Sequence, residues 1–142
     1  MKRWTFFLAF VAFIVFATQF VVIPSPAYAA KAFKVGIIDA YSGGAAPMGI
    51  DNLNGFKMAI EAVNAKGGIN GTKIEFVTRD DKFKPDVSLA MAKELVMKEG
   101  VDMLLGTISS ASSLAVSDFA KKEKIPFFVT GAKSEKITGE KG

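Results

Sequence analysis

The chain has 142 residues, half of them hydrophobic, with 18 Lys and Arg against 14 Asp and Glu. It contains no histidine and no cysteine, which excludes imidazole bases, thiol nucleophiles, zinc clusters and disulfides. Catalysis is therefore poorly provided for, and neither a metal nor a cofactor is expected.

In chain order, Lys2 and Arg3 precede an almost unbroken apolar run from Trp4 to Ile23, and Pro24 and Pro26 then break any helix. Ala27-Tyr28-Ala29 follows as a small-residue cleavage pattern. Positive start, apolar stretch and A-x-A site predict a secretory signal peptide over residues 1–29, cut after Ala29 with Ala30 as a neighbouring site. The alternative is an uncleaved anchor, since the run is nearly long enough to span a bilayer. Without a cysteine there is no lipoprotein anchor, and the periplasm of a Gram-negative cell is the expected destination. Residues 30–142 then keep 16 basic against 14 acidic side chains, a net charge of +2. That balance predicts no nucleic-acid footprint. The last residues, from Ser134 on, read as the opening of another element, so a fragment of a longer protein is expected.

Strand character marks Phe33 to Ile38, Lys73 to Thr78, Val101 to Leu105 and Pro126 to Thr130. Between the first two, Leu53, Phe56, Ile60 and Val63 recur at helical spacing. Val87, Met91 and Leu95 form the next stripe, opened by Pro85 and closed by Gly100. Ala111, Leu114, Ala115 and Phe119 form the third. Lys66-Gly67-Gly68-Ile69-Asn70-Gly71 supplies a tight turn, because glycine accepts positive φ. Alternating strands and helices predict an α/β fold, an open parallel sheet with helices on both faces.

In such sheets ligands bind beyond the carboxyl ends of the strands. That rule selects four loops: Asp39 to Met48, Arg79 to Lys84, Gly106 to Ser113 and Gly131 to Ser134. The third is rich in hydroxyls and runs into a helix, whose first N–H groups and positive dipole end suit a carboxylate. The plainer alternative is that Ser109 or Ser110 is an N-cap. The first loop lacks the G-x-G-x-x-G spacing and no Walker motif is present, which argues against a nucleotide site. Asp39, Asp80 and Asp81 suggest a metal or phospho-acceptor cluster, but an acid pair at a strand end more commonly builds a turn. Lys133 is either a cation facing a ligand or a solvated loop residue like Lys136.

Several of these segments occur together in one known family. Lys34-Val35-Gly36-Ile37, the Ser42-Gly43 loop, Asn64 to Gly71, Asp80-Asp81, Gly106, Ser109-Ser110, Ser117-Asp118 and Ile125-Pro126 stand in its order. The chain resembles the leucine/isoleucine/valine-binding branch of the type I periplasmic binding proteins over Lys34 to Thr138. The resemblance implies a two-lobed clamshell, with residues 30–142 as most of the first lobe and the ligand between lobes. It implies a carboxylate contact at Ser110, supported by Ser109 and the N–H groups of Ala111 and Ser112, and a backbone contact at Gly131. Lys133 replaces the family's frequent threonine and Met48 its frequent aromatic, so both are candidate specificity positions. The implied function is capture of an amino acid, branched-chain or related, by a monomer that delivers it to the membrane permease of an ABC importer. A membrane-anchored sensor with the same fold is the alternative. An enzyme or phospho-switch on a similar sheet is opposed by the export signal and the missing histidine.

Overall fold

The structure is a computed structural model that describes residues 31–139. The expected signal peptide, residues 1–29, lies outside the described residues. Strand β1 (Phe33–Asp39), helix α1 (Ala46–Ala65), β2 (Ile74–Asp80), α2 (Pro85–Met97), β3 (Met103–Gly106), α3 (Ser110–Glu123), β4 (Phe127–Phe128) and α4 (Glu135–Thr138) follow in order. The four strands form one sheet in the order β2-β1-β3-β4, and every pairing is parallel. The expected α/β architecture is the observed one.

The first crossover leads from β1 to one neighbour, and the second carries the chain back over β1 to the other side. Right-handed connections then place α1 on one face and α2 with α3 on the other. Strand alternation agrees. Ile38 and Leu104 pack with Ala92, Leu95, Val101, Val116 and Phe119 as the buried core beneath α2 and α3. Val35 and Ile37 point to the opposite face and are also buried. At Gly36 an added Cβ would lie 3.0 Å from Leu95 and 3.1 Å from Leu104, so a glycine there lets α2 seat closely on the sheet.

The turn after α1 is tied down by Asn64. Its side chain accepts the N–H of Ile74 at 2.8 Å and donates to the carbonyl of Ile74 at 2.7 Å, pinning the helix end to the start of β2. Gly68 has φ 85, and a Cβ there would lie 2.0 Å from the Thr72 carbonyl oxygen. The glycine-rich turn therefore needs its glycine for a close backbone approach as well as for φ. On the edge strand, Arg79 donates to Glu94 at 2.9 and 3.1 Å and to Glu99 at 2.7 Å. Those charge-assisted bonds push the Arg79 guanidinium above its already high ordinary value, the Glu94 hydrogen bond contributing most.

Three expectations need correction. The buried face of α2 is Ser88, Ala92 and Leu95, with Val87 and Met91 only partly covered. The buried face of α3 is Ser112, Ser113, Val116, Ser117, Phe119 and Ala120, while Ala111 is exposed. Ser88 and Ser113 are held by hydrogen bonds to Asp81 and Thr107 in the strand-end loops, and hydropathy periodicity does not register buried serines. The fourth strand is also shorter than Pro126 to Thr130. It sits at the sheet edge and pairs only Phe127 and Phe128 with β3, with the Pro126 carbonyl accepting the Leu104 N–H at 2.8 Å just before it.

Candidate functional site

The register brings three strand ends to one edge: Asp39 pairs with Asp80, and Ile38 with Gly106. β1 is the strand from which the chain departs in both directions, so this edge is the topological switch point. An open crevice of about 500 Å³ lies there, walled by the loop Ser42–Ala45, by Met48, by Lys82 and Phe83, and by Ile108. A smaller groove of about 230 Å³ between α3 and β4 is lined mainly by apolar groups such as Ile125, Phe127 and Ile137.

The three acids around the crevice build its frame. Asp39 is fully buried and accepts from the N–H of Ala40 at 3.0 Å, the N–H of Ile108 at 3.1 Å and the Asn52 amide at 3.2 Å. Burial pushes its carboxyl above the usual value, against the opposing pull of those donors. Asp80 accepts from the N–H groups of Tyr41 and Lys82, both at 2.9 Å. Burial raises it, but the Ser42 hydroxyl and those two N–H groups outweigh burial and hold it below 3.8. Asp81 is buried and accepts from the Phe83 N–H at 2.8 Å and the Ser88 hydroxyl at 2.7 Å. The pair Asp80-Asp81 thus builds the turn expected of it. The phenol of Tyr41 is pushed well above 10.0 by burial, then by the charges of Asp39, Asp81 and Asp80. Its hydroxyl is buried with no partner among the described residues.

Helix α3 begins with its N-terminus at the same edge. Ser109 is the N-cap, with φ −86 and ψ 122, and its hydroxyl accepts the N–H of Ser112 at 3.3 Å. The basic residues Lys121 and Lys122 sit in the last turn, so the helix dipole is complemented at its far end. Ser112 is fully buried, its N–H spent on that cap, and its own hydroxyl has no partner among the described residues. Ser110 is different. It is partly exposed, and its oxygen accepts the N–H of Lys133 at 3.1 Å. With that lone pair engaged, the hydroxyl hydrogen is left to donate. The N–H groups of Ser110 and Ala111 precede the first intrahelical bond, from Ser113 to the Ser109 carbonyl at 2.9 Å.

The loop after β4 closes against this helix start. Gly131 donates to the Thr107 carbonyl at 3.4 Å, and a Cβ on it would come within 2.8 Å of Ile108. Ser110, Ala111, Gly131 and Lys133 are thereby gathered, with Lys133 exposed. Met48 lines the crevice, 58% exposed in the first turn of α1, whereas those four residues lie outside its lining and adjoin it through Ile108. That helix starts at Ala46, inside the stretch expected as loop, because Pro47 suits a first helical turn.

Sequence reasoning passed over Lys82, Phe83 and Ile108. Both loops had been selected by the strand-end rule, and a phenylalanine in a polar turn was the available signal. Lys82 has φ 54 and Phe83 φ 61, two successive left-handed residues without glycine, each costing ~1 kcal/mol or more.

A model of the periplasmic binding protein family matches residues 32–142. The leucine-specific-binding protein of Salmonella typhimurium is 36% identical over 105 residues, covering 74% of this chain and 28% of that one. The substrate-binding protein LivJ of Streptococcus pneumoniae, solved in complex with isoleucine, is 28% identical with a TM-score of 0.74, over 78% of this chain and 32% of that one. A solute-binding protein of R. palustris, solved with 4-hydroxybenzoate, is 36% identical with a TM-score of 0.67, over 78% and 30%. The chain therefore spans less than a third of the length of these relatives.

Proposed function

The chain belongs to the periplasmic binding protein family, and on that premise we propose that it forms one lobe of a receptor for a small carboxylate solute. The favoured solute is a branched-chain or related amino acid, delivered in the periplasm to the membrane permease of an ABC importer. In this reading the protein is a monomeric receptor and performs no catalysis. Closure of two lobes on the ligand creates the state that the permease recognises, and the ligand drives closure only by binding the closed form better.

The observation that carries the reading is the start of α3. Ser110 has its oxygen held by the Lys133 N–H and its hydrogen free to donate. Beside it, the N–H of Ala111 faces no intrahelical acceptor. One hydroxyl and one N–H at the positive end of a 14-residue helix suit a carboxylate without a formal cation. Ser109 and Ser112 contribute indirectly, by fixing the first turn. Gly131 brings the β4 loop close to the helix start, Lys133 sits beside Ser110, and Met48 lines the adjoining crevice.

A second ligand class has its own support. Met48, Phe83 and Ile108 make an apolar wall, and the nearby acids are committed to backbone donors instead of an incoming ammonium. An aromatic acid, the kind of ligand bound by the R. palustris relative, fits that wall as well as an amino acid does.

Calorimetric titration of L-leucine and of benzoate into the whole protein tests the reading. Ser110→Ala should weaken binding by ~tenfold or more, the worth of a hydrogen bond to a charged group, with stability kept. Ser109→Ala should cost ~1 kcal/mol of stability through the lost cap and leave affinity nearly unchanged. The opposite assignment of effects would sink the carboxylate role of Ser110.

A further inference from the structure

The turn after β2 holds an aromatic side chain in a place that a simple chain reversal would give to glycine or asparagine. Lys82 and Phe83 both occupy the left-handed region, at φ 54 and 61, although neither is confined by burial, Phe83 being 50% exposed. Four hydrogen bonds enforce the conformation. The N–H groups of Lys82 and Phe83 go to the carboxylates of Asp80 and Asp81, at 2.9 and 2.8 Å. The N–H of Lys84 goes to the Asp81 carbonyl at 2.9 Å, and Ser88 of α2 anchors the Asp81 carboxylate at 2.7 Å. Strain kept in place by this many partners belongs to a built feature, and such features gather at ligand sites. Here the product is a half-exposed ring on the crevice wall beside Met48 and Ile108.

We propose that Phe83 is a specificity-determining residue: its ring, flanked by Met48 and Ile108, is the surface against which the apolar body of a small monocarboxylate lies. The proposal rests on the reading of this crevice as the ligand site. The pieces divide the work chemically. The α3 start takes the charged end of the ligand. The ring offers a flat apolar face to an aliphatic or aromatic body, and the Met48 thioether adapts to its outline. Lys82, next in the turn, stands at the rim as an exposed cation and repels ligands that carry a positive charge on the body. The turn is the means of presentation, so the left-handed backbone and the ring are one device.

The test compares wild type, Phe83→Asn, Phe83→Leu and Ser110→Ala in the whole protein, with L-leucine and benzoate as probes by calorimetry and thermal midpoints without ligand. Asparagine tolerates the left-handed region, so it removes the ring and relieves the backbone together. The expected result for Phe83→Asn is affinity down by about tenfold for whichever probe the wild type binds, with a thermal midpoint held or raised. Phe83→Leu should lose less affinity, because it keeps apolar surface. Unchanged affinity in Phe83→Asn beside a loss in Ser110→Ala would overturn the role of Phe83 and leave the crevice as the ligand site. Unchanged affinity in both, or a wild type that binds neither probe, would overturn the site reading and this proposal with it.

Discussion

The carboxylate of Asp39, at the end of β1, accepts the backbone N–H of Ile108 at 3.1 Å across 69 residues of sequence. The same oxygen accepts the N–H of Ala40, and the other takes the Asn52 amide. One buried side chain thus joins β1, α1 and the loop that leads into α3. It sets the distance between the two sides of the crevice.

Asp39→Ala should lower stability by ~2–4 kcal/mol. The substitution leaves the N–H groups of Ala40 and Ile108 without their acceptor in a buried site, and each such loss costs about 1–3 kcal/mol. Urea denaturation measures the total, and hydrogen exchange at Ile108 should quicken well beyond exchange in the centre of β1. A loss under about 0.5 kcal/mol, the scale of an ordinary surface change, would show that the bond does not hold the loop.

Two glycines of α1 should respond oppositely to alanine. At Gly49 an added Cβ would lie 2.0 Å from the Ala40 carbonyl oxygen, whereas at Gly55 nothing lies within 4 Å. Gly49→Ala must push α1 off the end of β1, and ~3 kcal/mol of destabilisation is expected from such overpacking. Gly55→Ala should gain ~0.5–1 kcal/mol, since it removes backbone freedom from the unfolded chain without a clash. Thermal midpoints of the two variants should therefore lie on opposite sides of the wild type.

The acid limb of stability should be governed at Asp80 and Asp39 with opposite signs. Asp80 is held below 3.8 in the folded state, where hydrogen bonds outweigh burial. Its contribution is fully present above the unfolded value and is lost as pH falls through the lowered folded value. Asp39 is raised from 3.8 by burial, so the folded protein keeps a proton that the unfolded chain releases. Stability then falls as pH rises from 3.8 through the raised value. Asp80→Asn should flatten the loss at acid pH, and Asp39→Asn the slope above it. Urea midpoints taken from about pH 2 to 7 separate the two windows, and a profile unaltered by either variant would contradict both assignments.

Much of the fold was legible because its signals are local. The four strand centres, the three long helices and the tight turn at Gly68 follow from periodicity, Pro and Gly placement and the βα alternation. The strand-end rule also points to the sheet edge where the crevice opens. Helix faces were less legible. Ser88, Ser112 and Ser113 lie fully buried in the first turns of α2 and α3, where Ser88 binds Asp81 and Ser113 binds Thr107, and a hydropathy pattern does not record such polar contacts.

The candidate site divides along the same line. That Ser109 to Ser112 open a helix was readable from the chain, yet which serine caps and which stays free to donate was not. Ser109 is spent on the Ser112 N–H, and Ser110 is set by a bond from Lys133, 23 residues away. Phe83 was hidden for a related reason. Its left-handed backbone depends on Asp80, Asp81 and Ser88 acting together, and a propensity scale puts no aromatic residue there.

The sequence by itself determined the parallel α/β plan, the edge where the crevice opens and the absence of histidine and cysteine chemistry. Each follows from residue type, or from spacing within one element. The tertiary structure alone decided which hydroxyls are free, which acids are committed to backbone donors and which ring lines the wall. Those outcomes depend on partners distant in sequence, and only folding sets them within hydrogen-bonding distance.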